Sequence, residues 1–272
     1  MFVRRFVSFS LVAAVLVGCG TTPVLQQAPP AIAQGQHYGI GPSATVARTD
    51  HTLRHLDTDQ TVVYTQNMGG GGAALGVLLG PIGVAANMKM IESQTASEAD
   101  KLKGKVVLNP KAALLQAAAT SGFALQPVAG AADIKVSPFV LISKTTETAT
   151  HISSAMMIEG TNGAQPWRRL YRYQLPGAYT LDQLSTIDGV KKAGLQADVV
   201  NGYVALLAHI AAETEASIAA ERKITVKSSQ LTPRFEFEMI GSLVREDAGL
   251  VWVRTTAGVY ALAPSDVQIK YL

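Results

Sequence analysis

The 272-residue chain has one cysteine and few charged residues, and both shortages limit what the protein can be. A single Cys cannot form a disulfide within the chain, which excludes a disulfide-stapled scaffold. Charged residues make up 16% of the chain, below the roughly 25% usual for soluble domains, whereas hydrophobic residues make up 48%. This composition is neither disordered nor collagen-like. We expect part of the apolar surface to face a membrane or a partner.

The chain also lacks the common catalytic motifs. It has no Gly-x-Ser-x-Gly elbow, phosphate-binding loop, dinucleotide fingerprint or His-Glu-x-x-His zinc helix. His51 and His55 have a spacing that would suit a metal on a helix, but the surrounding Thr and Asp residues favour a solvated loop. His151 and His209 could act as general bases, yet neither has a nucleophile beside it in sequence. We therefore predict no catalysis, no cofactor and no metal site.

The first 18 residues have the pattern of a secretory signal. Arg4 and Arg5 precede a mostly apolar run from Phe6 to Val17. The run ends at Leu16-Val17-Gly18-Cys19, which resembles the lipobox of bacterial lipoproteins. The resemblance implies that residues 1–18 are removed and that Cys19 carries the lipid. Several acyl chains would then anchor the mature protein durably in a membrane.

Residue 20 and the charge balance bear on location and partners. Position 20 is Gly, whereas an Asp at this place in enterobacterial lipoproteins resembles a signal for the inner membrane. The resemblance therefore implies a lipid-anchored outer-membrane protein on the periplasmic side. Removing Arg4 and Arg5 with the signal reduces Lys and Arg from 23 to 21 against 20 Asp and Glu, a net charge of +1. This balance does not favour nucleic acid as a partner.

Residues 19–42 contain Pro and Gly but no charged residue, which predicts a flexible tether. The rest of the chain alternates helix and strand patterns and predicts an α+β fold. We expect a mixed α/β domain over residues 43–230 and a C-terminal β unit over residues 231–272. The short strands and tight turns of that small antiparallel unit resemble an SH3-like barrel.

Within the first domain, residues 68–88 are apolar or Gly except for Asn87. Gly72, Gly76 and Gly80 recur every four residues, so on a helix they would line one face and allow a second backbone to approach closely. The pattern resembles the glycine-zipper segments of bacterial envelope proteins, which implies an oligomer or membrane insertion. Seven glycines and Pro81 favour the alternative, a Gly-rich loop followed by a helix packed on its own domain.

Local signals predict several elements. Asn109-Pro110 and Gly122 predict the start and end of a helix, and Thr180 begins a capping box. Residues 134–144 predict a strand, followed by a hairpin that turns at residues 160–163. A long helix is predicted from Asp198 to about Lys223.

Three cations alternate with three aromatic residues between Trp167 and Tyr173. We predict that Trp167, Arg168 and Arg172 contact an anionic ligand, because Arg forks and aromatic faces recognise phosphates and carboxylates. In the periplasm these groups belong to lipid headgroups, lipopolysaccharide or peptidoglycan. The alternative is an ordinary sheet strand with its Arg residues in solvent and its aromatics covering a helix.

The leading functional hypothesis is a structural, assembly or interaction role without catalysis, with an envelope protein, peptidoglycan or lipopolysaccharide as partner. The second hypothesis is an oligomeric subunit that inserts into the membrane through Gly72, Gly76 and Gly80 and builds a pore or secretion collar. The third is an envelope hydrolase with an unrecognised site.

Overall fold

A computed structural model describes residues 32, 35–48, 52–66, 88–131, 133–163, 165–231 and 237–272. The described strands are β1 Tyr38–Ile40, β2 Leu53–His55, β3 Val62–Gln66, β4 Leu125–Gln126, β5 Ile134–Lys144, β6 Thr150–Asn162, β7 Gln165–Gln174, β8 Arg222–Lys227, β9 Met239–Asp247, β10 Leu250–Thr255, β11 Gly258–Leu262 and β12 Gln268–Tyr271. The helices are α1 over residues 88–102, α2 Pro110–Ser121, α3 Leu181–Ser185, α4 Gly189–Ala212, α5 Glu215–Ala219 and a 3-10 turn, Pro264–Asp266.

All of these strands belong to one mixed sheet, which confirms the predicted α+β class. Its main order is β12-β8-β9-β10-β11-β7-β6-β5-β1-β4, and β3 pairs with both β5 and β2. The C-terminal strands join the rest through a parallel pair, β11 with β7. The sheet therefore continues from one end of the described chain to the other.

Helices α2 and α4 pack on one face of the sheet. One apolar face of α4 is buried, including Val199, Tyr203 and Leu206. Tyr203 donates its hydroxyl hydrogen to the carbonyl oxygens of Phe139 and Ala155, at 2.9 and 3.2 Å. Close contact requires Gly202, because a Cβ there would lie 2.5 Å from Ser154 Oγ. This packing joins α4 to the centre of the sheet.

Locally encoded boundaries are confirmed, whereas those of the long helix are not. The Asn109 side chain caps α2, and Gly122 ends it in the left-handed conformation. Helix α4 begins at Gly189 because Asp188 accepts a hydrogen bond from Lys191 N, and it ends at Ala212. The predicted helix over residues 198–223 is therefore wrong at both ends, since β8 already begins at Arg222.

Two described strands are separated by a predicted boundary from the strands with which they pair. Ile32 is buried, and β1, which falls in the predicted tether of residues 19–42, lies between β4 and β5. Strand β8, predicted in the first domain, pairs with β9 and β12 of the C-terminal unit. These pairings join distant parts of the chain, which local patterns do not reveal.

Among the described residues, α4 is the one helix long and apolar enough to cross a membrane. Half of its most apolar stretch is buried inside the protein. A core helix has the same length and composition, so α4 is weak support for a membrane span.

Candidate functional site

Strand β7 separates the three residues predicted to bind an anion. Successive side chains of a strand point to opposite faces, so Trp167 faces the helices while Arg168 and Arg172 face the other side of the sheet. The Trp167 ring covers Gly160 on the neighbouring strand, where a Cβ would lie 2.7 Å from the ring. The predicted aromatic cover of the helix-facing side is therefore present, but the three side chains do not form one surface.

Arg172 lies inside the protein, where it is 3% exposed. Its Nε donates to Ser153 Oγ at 3.0 Å, and its two terminal nitrogens donate to Gln230 and to Ser143 Oγ. Burial lowers the pKa of Arg172 to about 10, so the side chain is still charged at neutral pH. An external anion does not reach it, and this corrects the predicted role: Arg172 binds the loop that contains Gln230.

Arg168, in contrast, lies beside an open cleft of about 680 Å³. The cleft is lined by residues 40–42 after β1, by the loop over residues 128–131 and by the β6–β7 hairpin around Gly160 and Trp167. Arg168 is exposed, and its Nη1 donates to Thr45 Oγ1 at 2.9 Å. The structure thus brings Trp167 and Arg168 to the same cleft from opposite faces of β7.

Glu159 organises the other charges of the cleft. It lies directly across the sheet from both Lys135 and Arg168. Its carboxylate is 2.7 Å from Lys135 Nζ and accepts a hydrogen bond from Ser43 Oγ at 2.8 Å. Arg168 forms no ion pair with any residue that the structure describes. Its guanidinium is therefore the group best placed to bind a carboxylate or phosphate from outside.

The described His residues do not form a metal site. His51 lies outside the described residues, and His55 Nε2 is 3.0 Å from the carbonyl oxygen of Val46. Because a carbonyl only accepts, His55 Nε2 carries the hydrogen, and Nδ1 keeps the lone pair of the neutral ring. No cluster of three metal-binding side chains occurs in the described part of the chain.

His209 is enclosed by cations and is 5% exposed. Arg245 Nη1 donates to His209 Nδ1 at 2.9 Å. Burial, with Arg245 and Arg254 nearby, lowers the pKa of His209 to about 3. His209 is therefore a neutral core residue, and its 3.6 Å contact with Glu213 is not a pair of opposite charges.

A buried ionic cluster of Arg169, Glu213, Glu221 and Arg254 lies beside His209, and no local pattern of the sequence predicts it. Glu213 accepts from Arg169 Nη1 at 2.9 Å and from Arg254 Nη2 at 2.6 Å. Glu221 binds the same Arg254 at 2.9 and 3.0 Å. Glu213 and Glu221 fall within the helix predicted over residues 198–223, and their cationic partners lie far away in sequence.

Cys19, Gly72, Gly76 and Gly80 lie outside the described residues. The lipid anchor and the glycine zipper thus stay predictions from sequence. Comparison with protein-family models, with curated proteins and with solved structures finds no match. The functional argument consequently rests on the residues of this chain.

Proposed function

We propose that this protein is a lipid-anchored component of the outer membrane that faces the periplasm and has an interaction or assembly role rather than a catalytic one. The observation that carries the proposal is the open cleft next to Arg168. Its wall includes residues 40–42, so it opens beside the start of the continuous described chain. A lipid on Cys19 would hold this side of the protein near the membrane.

The buried position of Ile32 shortens the proposed tether. Twelve residues lie between Cys19 and Ile32, and the proposed flexible tether of that length would span about 20 Å by random-coil scaling. The cleft would therefore meet ligands close to the membrane surface. Both lipid phosphates and the carboxylates of nearby peptidoglycan offer the planar or tetrahedral anions that an Arg fork binds.

The anchor is tested by replacing Cys19 with Ser. We expect the wild-type chain to remain in the membrane fraction after washing with high salt, because acyl chains and not charges hold it. Cys19→Ser should be uncleaved or soluble and should lose acyl groups in mass spectrometry. A wild-type chain without acyl groups would contradict the proposal.

The cleft is tested by charge reversal in the lipid-free chain. We expect Arg168→Glu to lower co-sedimentation with isolated cell-wall sacculi or with anionic lipid vesicles about tenfold, because a charge-assisted hydrogen bond contributes about 1.5–3 kcal/mol. Loss of binding to sacculi would identify peptidoglycan as the source of the anion, and loss of binding to vesicles would identify lipid.

The matched control is Lys191→Glu, which makes the same charge change at an exposed site on α4. Equal binding of Arg168→Glu and Lys191→Glu to both particles would mean that the cleft does not bind an anion.

At finer detail, we propose that β8–β12 form an SH3-like unit. Five short strands with tight turns enclose a hydrophobic cluster separate from the main core. The fully or nearly buried members of this cluster are Ile224, Val226, Val251, Val253, Tyr260 and Leu262. The left-handed residues Ala248 and Gly249 form the predicted turn between β9 and β10.

A second candidate is an oligomeric, membrane-inserting subunit, and the described flanks of residues 67–87 fix where such a segment would leave the fold. Gln66, the last residue of β3, contacts Thr95 of α1 at 2.7 Å. Beneath them, buried Lys144 lies 2.7 Å from Glu98, whose other oxygen accepts from Tyr64 Oη at 2.6 Å. Both flanks are therefore fixed to the same part of the fold.

This candidate predicts that Gly76→Ile reduces the mass of the detergent-extracted protein from a defined oligomer to a single chain. A branched side chain would prevent close backbone approach, whereas Gly76→Ala, the matched control, should retain most of the oligomer. Light scattering measures both. A wild-type monomer, or an oligomer unchanged in Gly76→Ile, would contradict the zipper.

A further inference from the structure

A second pocket, of about 420 Å³, lies where the main sheet meets the C-terminal strands. Its walls are the loop over residues 175–178, the β9–β10 turn at residues 248–250 and residues 263–266. His151 of β6, Tyr173 of β7 and Asp266 also line it. None of these residues lines the Arg168 cleft.

Gln174 determines which nitrogen of His151 carries the hydrogen. The Gln174 Oε1 atom accepts from Ala263 N at 3.0 Å, which sets the orientation of the amide. Gln174 Nε2 therefore donates, to Asp266 Oδ2 at 2.6 Å and to His151 Nδ1 at 3.1 Å. Since Nδ1 accepts, the hydrogen of the neutral ring is on Nε2.

The surroundings keep this ring neutral. Burial lowers the pKa of His151; Asp266 raises it and buried Arg172 lowers it, with burial the largest influence. Nε2–H has no hydrogen-bond partner among the described residues. His151 thus offers the pocket a neutral donor, and in this tautomer Nε2 has no lone pair with which to act as a general base.

Asp266 offers an acceptor beside that donor. Its Oδ2 is occupied by Gln174, whereas its Oδ1 has only a 3.3 Å contact with Ser265 Oγ. The remaining lining is largely apolar and includes Leu175, Pro176 and Leu250. The pocket therefore combines one donor, one acceptor and an apolar wall.

We propose that this pocket binds an uncharged secondary amide. The amide carbonyl accepts from His151 Nε2–H, the amide N–H donates to Asp266 Oδ1, and the attached methyl or Cα group packs on the apolar wall. A carboxylate ligand would be repelled by Asp266, and an ammonium group would leave His151 Nε2–H without an acceptor. Peptide backbones and N-acetylated sugars both carry this group.

The test is a titration of the full chain in detergent with ¹⁵N-labelled His, observed by NMR. The spectrum first reports the tautomer, which we expect to be Nε2–H for His151 at neutral pH. N-acetyl-alanine methylamide and N-acetylglucosamine are the two amide probes, and they distinguish a peptide source from a sugar source. Methyl acetate lacks the N–H, and acetate carries a charge.

We expect at least one amide probe to shift the His151 signals saturably, with a dissociation constant in the millimolar range usual for small fragments. Methyl acetate and acetate should bind at least about tenfold more weakly. An Nδ1–H tautomer, equal binding of ester and amide, or no shift with either amide would overturn the proposal.

Asp266→Asn provides a sharper variant, because Gln174 should hold the Asn oxygen at the Oδ2 position and turn the NH₂ group toward the pocket. This exchange of acceptor for donor should weaken amide binding about tenfold and strengthen ester binding relative to it. His37→Gln, at an exposed position outside the pocket, is the control and should bind as wild type. Unchanged amide binding by a folded Asp266→Asn chain would also overturn the proposal.

Discussion

Glu213→Ala is expected to lower the free energy of unfolding by about 3–5 kcal/mol, because it removes one partner from a buried ion pair. The Glu213 side chain is 1% exposed. It accepts hydrogen bonds from Arg169, Arg254 and the Tyr171 hydroxyl. For a domain of this size the loss corresponds to a fall of roughly 10 °C in Tm.

The position of Glu213 explains why the effect should reach two parts of the molecule. It follows α4, which packs on the main sheet, while Arg254 lies on β10 among the C-terminal strands. Trp167 and Trp252 are the two Trp residues of the chain, and they lie on β7 and β10. The Trp252 ring packs on His209 of α4 and on Tyr173 of β7 in the main core, so a chain with Trp252 as its one Trp reports on the contact between the two parts during urea unfolding. In Glu213→Ala we expect its transition to come at a lower urea concentration than that of a chain with Trp167 as its one Trp.

Two further variants distinguish loss of the ion pair from other effects of the substitution. Glu215→Ala changes an exposed acid two residues away and should cost less than about 0.5 kcal/mol. The double variant Arg169→Met with Glu213→Ala should lose less than the sum of the single losses, since removing both partners leaves no uncompensated charge. A loss in Glu213→Ala no larger than that in Glu215→Ala would contradict the buried cluster.

The elements that sequence predicted correctly are those with local signals. The Asn109 and Gly122 caps of α2 and the Thr180 capping box need no distant partner. Strand β5 has the predicted bounds because its apolar run ends at charged residues. The β6–β7 hairpin forms between neighbouring segments as predicted, but β6 continues through most of the predicted turn at residues 160–163 and ends at Asn162. Residue propensity and turn chemistry are sufficient to predict each of these elements.

Other elements depend on residues far away in the chain. Strand β1 carries a weak signal, and its place is explained by tertiary contact: a Cβ on Gly39 would lie 2.2 Å from Ala129 Cα. The end of α4 lies where Glu213 meets Arg169 and Arg254, 44 and 41 residues distant. The local periodicity of the sequence does not predict either contact.

The candidate sites also depend on residues far away in the chain. The alternation of Arg and aromatic residues indicated a site on β7, yet it did not reveal that Arg172 would be buried by Gln230, 58 residues away. It also did not reveal that Arg168 would lie beside Lys135 and Glu159. The His151 pocket depends on Asp266, whose link to Gln174 spans 92 residues. A single sequence marks such residues as polar without showing their partners.

His209 predicts acid sensitivity that an ordinary surface His would not cause. The groups around it are Arg245 on β9, Arg254 on β10, Arg169 on β7, and Glu213 and Glu221 near the ends of α4 and α5. Burial and these cations lower the pKa of His209 from 6.5 to about 3. The unfolded chain therefore binds a proton at a pH where the folded chain does not.

This difference in proton binding determines whether stability rises or falls with pH. A group protonated only in the unfolded chain favours unfolding, so stability should fall as pH decreases from about 6.5 toward 3, by up to about 1.4 kcal/mol for each pH unit. Glu98 adds a similar loss at lower pH, because Lys144 and Tyr64 lower its pKa despite burial. The window from about pH 4.5 to 6.5 thus isolates the His residues.

Urea unfolding of the wild-type and His209→Gln chains across that window measures the effect. Gln can still accept from Arg245 but does not titrate, so the variant should be less stable at pH 7 yet show a shallower loss on acidification. His151, whose pKa is also lowered, contributes equally to both chains and cancels in the comparison. Parallel pH profiles would mean that His209 has the same pKa in the folded and unfolded chains, and a steeper loss in the variant would mean that His209 forms an ion pair with Glu213; either result would contradict the prediction. The shallower profile is expected because Arg245 occupies Nδ1 and excludes a second proton there.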